Sequence, residues 1–147
     1  MTTSEERKPA TDLAVGESYA AYSFRVTPEL NEQYCYAEED YHPRYRETTA
    51  EGPPMVHPAL IMNMSNRTRS PSFYMPKGRS VLHAKDDIEF VAPAYVGKEL
   101  FVTWTVCERY EKRGKDFMVI DCRVVDEDGR EIIRRYSHNT HIAGKDA

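Results

Sequence analysis

The part of the chain that most restricts its fold is the succession of strand-length segments after residue 80. Four such segments lie at 80–91, 99–110, 117–125 and 131–142. In two of them, every second residue is apolar: Leu100, Val102, Trp104, Val106, Met118, Ile120, Cys122 and Val124. A period of two places such side chains on one face of a β-sheet. The pattern therefore predicts an antiparallel sheet that buries one face in a core.

The first half of the chain predicts one more strand and two helices. Residues 19–26 are rich in aromatic and β-branched residues, which is typical of a strand. Thr27, Pro28 and Glu29 form a helix start, with an N-cap, a first-turn proline and a first-turn acid. The apolar residues of 55–66 cover most of a helix circumference. We therefore predict an α+β fold, a curled antiparallel sheet wrapped around one long, buried central helix.

The length of the chain suits one domain. It has 147 residues, of which 40% are hydrophobic, enough for one packed core. We expect residues 16–147 to form a single domain and residues 1–15 to form a flexible N-terminal arm. The edge strands of the sheet need protection, and a dimer that joins two sheets edge to edge would provide it.

The composition argues against several classes of function. A net charge of −4 disfavours a general nucleic-acid binder. No apolar stretch approaches the roughly 20 residues needed to cross a bilayer, and the N-terminus lacks a signal sequence. The three cysteines are widely spaced and form no zinc or redox motif. We therefore expect a cytoplasmic protein with no nucleic-acid or membrane partner, no metal and no redox cofactor.

Three segments carry a resemblance to a known family. Residues 39–45 (EDYHPRY) resemble an Asp-x-Asn-Pro-x-His hydratase loop, and residues 55–60 (MVHPAL) resemble a Val-His-Gly-Met-Leu helix start. Residues 87–100 (DIEFVAPAYVGKEL) resemble a recurring strand and turn. All three patterns are typical of the MaoC-like hydratases and dehydratases, which the chain therefore resembles. The likeness spans roughly residues 16 to 143, and it is greatest to the amino-terminal or non-identical halves of double-hot-dog dehydratases.

The resemblance implies a hot-dog fold and a lyase that reversibly hydrates an enoyl thioester, of coenzyme A or of a carrier protein, to the 3-hydroxyacyl thioester. Such chemistry needs a base for the water proton, an acid for Cα and a donor for the enolate oxygen. Asp40 lies at the position of the family's catalytic aspartate. We expect His42 to be its partner and Tyr45 to be a supporting donor. For His57, Pro58 and Met62, at and inside the second helix, we expect contacts with the thioester, the pantetheine or the acyl chain.

Besides His42 at the family's asparagine position, the chain departs from the family's pattern at two positions that carry its chemistry. Tyr45 stands where the family has its catalytic histidine, and tyrosine is a poor base at pH 7 because its pKa is about 10. Pro58 stands where the family has a glycine whose N–H binds the enolate oxygen, and proline has no N–H.

Three readings therefore stay open. The chain could be an active hydratase or dehydratase with a rearranged pair, in which a neighbouring N–H replaces the one lost at Pro58. It could instead be a non-catalytic, acyl-binding subunit that pairs with another hot-dog protein. A hot-dog thioesterase is the third reading, with Glu47 or Glu51 as the carboxylate that activates water.

Overall fold

The computed structural model describes residues 7–68 and 70–144, and residues 1–6 of the expected arm lie outside this part. There are two α-helices, α1 (Pro28–Ala37) and α2 (Pro58–Met64). The strands, in chain order, are β1 (Lys8–Pro9), β2 (Tyr22–Arg25), β3 (Phe73–Tyr74), β4 (Arg79–Phe90), β5 (Glu99–Lys112), β6 (Lys115–Asp126) and β7 (Glu131–Ala143). Single 3-10 turns lie at Ala10–Asp12 and Pro43–Tyr45.

The main sheet has five antiparallel strands in the order β2-β5-β6-β7-β4. The four strands predicted after residue 80 are confirmed to within about two residues at each end. Between β5 and β6, Arg113 and Gly114 have φ values of 53° and 73°. Positive φ at both central residues matches the twist of a two-residue hairpin. Short loops join β5 to β6 and β6 to β7, which explains why these three strands pair in chain order.

The inner face of the sheet carries the core. Leu100, Val102 and Val106 are completely buried, and Trp104 is 2% exposed. The buried side chains of α2 pack into the same cluster, so this helix lies against the inner face. An α+β hot-dog arrangement, a curled antiparallel sheet with helices on its inner face, is the observed fold, and the predicted fold class is confirmed.

The central helix is shorter than predicted. α2 has seven residues, and it is buried on one side only, because Leu60 and Ile61 are buried while Asn63 is exposed. The helix is followed by its C-cap residue, Ser65, whose carbonyl accepts a 2.9 Å hydrogen bond from the indole Nε1 of Trp104. A longer helix would need that carbonyl for its own next turn. None of the helices in residues 7–68 and 70–144 is long and apolar enough to cross a membrane.

The N-terminal segment packs on the sheet where the structure describes it, contrary to the flexible arm expected over residues 1–15. Strand β1 pairs in parallel with β3. Leu13 is completely buried in the core. The guanidinium of Arg109 donates hydrogen bonds to the carbonyls of Leu13, at 2.6 Å, and Thr11. The buried leucine and these bonds to Arg109 hold the segment in place.

Strand β4 forms one edge of the sheet and is poorly covered. In the part of the chain that the structure describes, it pairs with β7 and with no other strand. Val81, Leu82 and Phe90 are 50%, 42% and 49% exposed. A twelve-residue strand with one long edge open, beside large exposed apolar side chains, is typical of an edge that another strand covers.

A group of polar side chains lies on the inner face beside this edge. We call it the edge cluster: His83, Asp86, Arg135, Ser137 and Asn139. Arg135 donates a 2.5 Å hydrogen bond to Asp86 Oδ2, and its guanidinium lies 5.3 Å from the centre of the Trp104 ring. His83 joins Asp86 Oδ2 (3.1 Å) to the Ser137 hydroxyl (3.3 Å). Three of its buried atoms have no hydrogen-bond partner among the described residues: Asp86 Oδ1, Arg135 Nε and Asn139 Oδ1.

Candidate active site

Helix α1 presents Asp40 through the turn that ends it. Thr27 caps the helix, because its hydroxyl accepts the N–H of Leu30, as the sequence predicted. At the other end, Glu39 adopts a left-handed φ of 55°, and the Asp40 N–H bonds to the Cys35 carbonyl at 2.9 Å. This is a Schellman ending, which reverses the chain sharply. Asp40 is therefore held beside the helix end, with its carboxylate 39% exposed.

The partner of the Asp40 carboxylate is His57. Nε2 of His57 lies 3.2 Å from Asp40 Oδ2. His57 is the N-cap of α2, and its Nδ1 accepts the N–H of Ala59 at 3.2 Å. Because Nδ1 accepts, the neutral imidazole must carry its proton on Nε2, and this proton points at the carboxylate. His57 is thus a hydrogen-bond donor to Asp40, with 14% of its side chain exposed.

The imidazole of His42, the expected partner of Asp40, makes its hydrogen bond elsewhere. Its Nδ1 accepts the N–H of Arg44 at 3.1 Å and caps the Pro43–Tyr45 turn. The ring is exposed and turned toward its own backbone. His42 does touch Asp40 through its backbone N–H, which donates to Asp40 Oδ1 at 3.2 Å. The structure therefore brings His57, and not the imidazole of His42, to the carboxylate.

Tyr45 packs beside both histidines. Its ring centre lies 4.9 Å from that of His57 and 6.1 Å from that of His42, and the residue is 9% exposed. Burial, followed by the negative charge of Asp40, raises the pKa of Tyr45 above its usual value. The hydroxyl therefore stays protonated at neutral pH, and it can donate a hydrogen bond but cannot act as a base.

Asn31, on α1, is a member of the site that the sequence analysis missed. Its side chain is completely buried. Its Nδ2 donates to the carbonyls of Tyr45 (2.9 Å) and Met55 (3.0 Å), and its Oδ1 accepts the N–H of His57 at 2.9 Å. The signal in the sequence is faint: an asparagine in the middle of a helix, four residues before the apolar Cys35 and on the same face.

The start of α2 offers few donors. Pro58 has no N–H, and the N–H of Ala59 is occupied by His57 Nδ1. The next N–H, of Leu60, bonds to the His57 carbonyl at 3.0 Å. Met62, expected to line an acyl channel, is partly buried and packs against the core cluster.

An open cavity of about 500 Å³ lies next to this site, and His42 belongs to its wall. One wall is the loop after Asp40, and the other comes from the segment after β4 through Pro93 and Tyr95. The carboxylate candidates for a thioesterase, Glu47 and Glu51, lie on the loop wall and are exposed. A ligand in this cavity would approach the Asp40–His57 pair from the side of His42.

The fold is similar to that of several solved hydratases and dehydratases. The (R)-hydratase from A. caviae involved in PHA biosynthesis matches with a TM-score of 0.69 and 18% identity, over 88% of this chain and 98% of that chain. The MaoC-like dehydratase from Rhodospirillum rubrum matches with a TM-score of 0.71 and 16% identity, over 92% and 97%. The HadBC (3R-hydroxyacyl-ACP dehydratase) complex from Mycobacterium tuberculosis matches with a TM-score of 0.68 and 14% identity, over 88% and 98%.

At identities this low, these similarities establish the fold alone. The comparison with curated proteins found no match. The family described as FAS1-like, dehydratase domain region, matches residues 14–135, which is most of the chain and includes Asp40, His57 and the whole of β4 to β6. The chain therefore belongs to the FAS1-like dehydratase family, in agreement with the MaoC-like resemblance of its sequence.

Proposed function

We propose that this protein is an acyl-thioester hydratase/dehydratase in which Asp40 and His57 form the catalytic pair. The observation that carries the proposal is the 3.2 Å contact between His57 Nε2 and Asp40 Oδ2, on a carboxylate that remains 39% exposed. A carboxylate that is oriented by an imidazole and open to solvent can hold and activate one water molecule. Family membership supports the reaction class.

Asp40 is the base in this proposal. Each of its oxygens accepts one hydrogen bond, from His57 Nε2 or from the His42 N–H, and each keeps a further lone pair for water. In hydration, a water proton moves to Asp40 while the water oxygen bonds to Cβ of the enoyl thioester. The electrons of the double bond pass to Cα and the thioester oxygen, forming an enolate. Asp40 then returns the proton to Cα, which completes the addition of one water; dehydration is the reverse.

His57 holds Asp40 and does not itself take the proton. Its Nδ1 lone pair is directed at the Ala59 N–H, so neither ring nitrogen is free to act as a base in the neutral form. The enolate oxygen needs a separate donor. We assign this role to Tyr45, whose raised pKa keeps its hydroxyl protonated and which packs on the His57 ring.

A second candidate function is favoured by the start of α2. Neither Pro58 nor Ala59 offers a free N–H for the enolate oxygen. A chain of this kind could bind the acyl thioester while another hot-dog subunit supplies the full catalytic machinery. Pro58 and Met62 would then contribute to binding alone.

The proposed partner is a second hot-dog subunit on strand β4. This edge exposes Val81, Leu82 and Phe90 and borders three buried atoms that lack hydrogen-bond partners in the described part of the chain. A copy of this chain or a related chain that adds its own edge strand would cover the apolar side chains and pair the backbone. A homodimer and a heterodimer both satisfy this requirement.

The experiment that tests the function follows the ultraviolet absorbance of enoyl thioesters of increasing length, carried by coenzyme A or by a carrier protein. We expect the wild-type protein to consume the enoyl band and the Asp40→Asn variant to lose about 10²- to 10⁴-fold in rate. Glu32→Gln, which neutralises an exposed carboxylate on the same helix, is the matched control and keeps the wild-type rate.

Three other outcomes would decide against the catalytic proposal. No turnover by the folded protein with any thioester would favour the acyl-binding subunit. Release of free thiol without loss of the double bond would favour a thioesterase. Equal rates for Asp40→Asn and the wild type would remove Asp40 from the mechanism.

A further inference from the structure

The amide of Asn31 connects three separate parts of the chain. It lies on α1, and it bonds to Tyr45 in the loop after α1 and to Met55 and His57 in the segment that enters α2. These partners are 14, 24 and 26 residues away in the sequence. A single buried amide thus ties α1 both to the loop that follows it and to the start of α2.

The hydrogen-bond capacity of this amide is well matched to its surroundings. Nδ2 has two protons and meets two carbonyls, while Oδ1 meets one N–H. The reverse orientation of the amide would place its N–H groups against the N–H of His57 and its oxygen against two carbonyls. The orientation of Asn31 is therefore unambiguous, and burial makes each of these bonds costly to lose.

His57 is thereby attached to α1 at two points. Its backbone N–H bonds to Asn31 in the body of the helix, and its ring Nε2 bonds to Asp40 just beyond the helix end. Its Nδ1 is held by the N–H of Ala59, which fixes the rotation of the ring. If the backbone of His57 moved away from α1, the ring could not keep both contacts.

We propose that Asn31 is the positioning residue of the Asp40–His57 pair: it fixes the backbone of His57 so that the imidazole presents its Nε2–H to Asp40. The inference rests on the proposed function for its effect on turnover. Its effect on the ring of His57 can be measured without any substrate.

The first measurement uses nuclear magnetic resonance of the wild-type protein labelled with ¹⁵N-histidine, because imidazole nitrogens report which of them carries the proton. The resonances of His57 are identified by their absence from the His57→Gln variant. We expect the Nε2–H form in wild type. An Nδ1–H form, or an equal mixture of the two, would overturn the proposal even without a mutation.

The second measurement compares Asn31→Ala with Gln33→Ala, which removes an exposed amide from the same helix. In folded Asn31→Ala we expect the preference for Nε2–H to be lost, kcat to fall by at least about tenfold, as misplaced catalytic groups do, and KM to change little. Gln33→Ala should match the wild type in the tautomer of His57, in kcat and in KM. If the alanine variant does not fold, Asn31→Ser, which keeps a small polar group, takes its place.

The outcomes separate this inference from the proposed function. Full turnover and an unchanged tautomer in folded Asn31→Ala and Asn31→Ser would overturn the positioning role. If the Nε2–H preference is present in the wild type and lost in Asn31→Ala, but the wild type hydrates no thioester, the positioning role is supported and the proposed function is overturned. A uniform loss of stability, with kcat and tautomer retained, would show that Asn31 is structural only.

Discussion

The candidate active site and the edge cluster are each built around a histidine and a carboxylate, and they differ in how completely their hydrogen bonds are satisfied. At the candidate active site, the amide of Asn31 and both ring nitrogens of His57 all have partners. In the edge cluster, one oxygen of Asp86, the Nε of Arg135 and the side-chain oxygen of Asn139 have none within residues 7–68 and 70–144.

Their positions in the fold explain the difference. The first cluster lies between two helices and a loop of the same chain, which together supply every donor and acceptor. The second lies beside strand β4, the open edge of the sheet. A buried polar group without a partner costs about 1–3 kcal/mol, so native proteins rarely keep several together. One chain supplies the hydrogen-bond partners of Asn31 and His57 at the candidate site, and we infer that the edge cluster is completed by a group from outside the chain.

The largest expected effect is on the edge cluster. Arg135→Met removes the arginine partner of Asp86 and leaves this side chain, 18% exposed beside the core, with His83 as its remaining partner. We expect the free energy of unfolding to fall by about 3–5 kcal/mol, the usual cost of breaking a buried ion pair. Urea denaturation, at a protein concentration low enough to keep the chain monomeric, measures this free energy of unfolding.

The double variant Arg135→Met with Asp86→Leu is the control for that prediction. Replacing both charges by apolar side chains is often neutral or stabilising. A double variant that is as unstable as Arg135→Met would show that loss of packing on Trp104, and not the unpaired charge, causes the effect.

The next effect concerns the active site. His57→Gln retains a side-chain donor of similar reach but loses the ring that spans Asp40 and Ala59. We expect turnover of an enoyl thioester to fall by about 100-fold, at the lower end for a group that assists proton transfer. His42→Gln changes an exposed histidine that contacts Asp40 through its backbone alone. This variant should lose far less turnover. The reverse order of the two variants would restore His42 as the partner of Asp40.

A smaller effect tests the partner at the edge. Phe90→Glu places a charge on β4, whereas Phe101→Glu places one on β5, away from this edge, at a similarly exposed phenylalanine. We expect Phe90→Glu to weaken self-association or binding of a partner subunit by at least about tenfold, or 1.4 kcal/mol. Sedimentation of both variants measures the dissociation constant of the assembly. Equal constants for the two variants would place the interface elsewhere.

The smallest expected effect is that of pH on Tyr45. Because burial and Asp40 raise the pKa of Tyr45 above 10.0, its hydroxyl keeps its proton throughout the neutral and mildly alkaline range. Stabilisation of the fold by the protonated hydroxyl is complete below pH 10.0 and is lost only as the pH rises through the higher pKa of the folded state. We expect Tyr45→Phe to reduce kcat by about 100-fold, the usual loss when one donor to the enolate oxygen is removed, and to leave the shape of the pH profile between pH 6 and 9 unchanged. A new alkaline limb in the wild type below pH 9 that Tyr45→Phe removes would contradict this.

The sequence by itself determined the elements that depend on local rules. A period of two identified the four long strands, and Thr27 with Pro28 marked the start of α1, because side-chain alternation and helix capping involve residues close in the chain. Residues 39–45, 55–60 and 87–100 carried the MaoC-like resemblance, which predicted Asp40 as a site residue. Local rules were insufficient for Leu13 and for the length of α2, since those depend on the core and on Trp104.

Only the tertiary structure decided which groups meet at the active site. In the sequence, His42 is two residues from Asp40 and was the natural partner, whereas His57 is 17 residues away. The cap of the Pro43–Tyr45 turn engages the ring of His42, and the buried amide of Asn31 brings the start of α2 to the end of α1. The contacts of Asn31 and Asp40 with His57 join segments that are distant in the chain, and in the buried part of the site an unpaired polar group would be costly. No pattern of neighbouring residues encodes them.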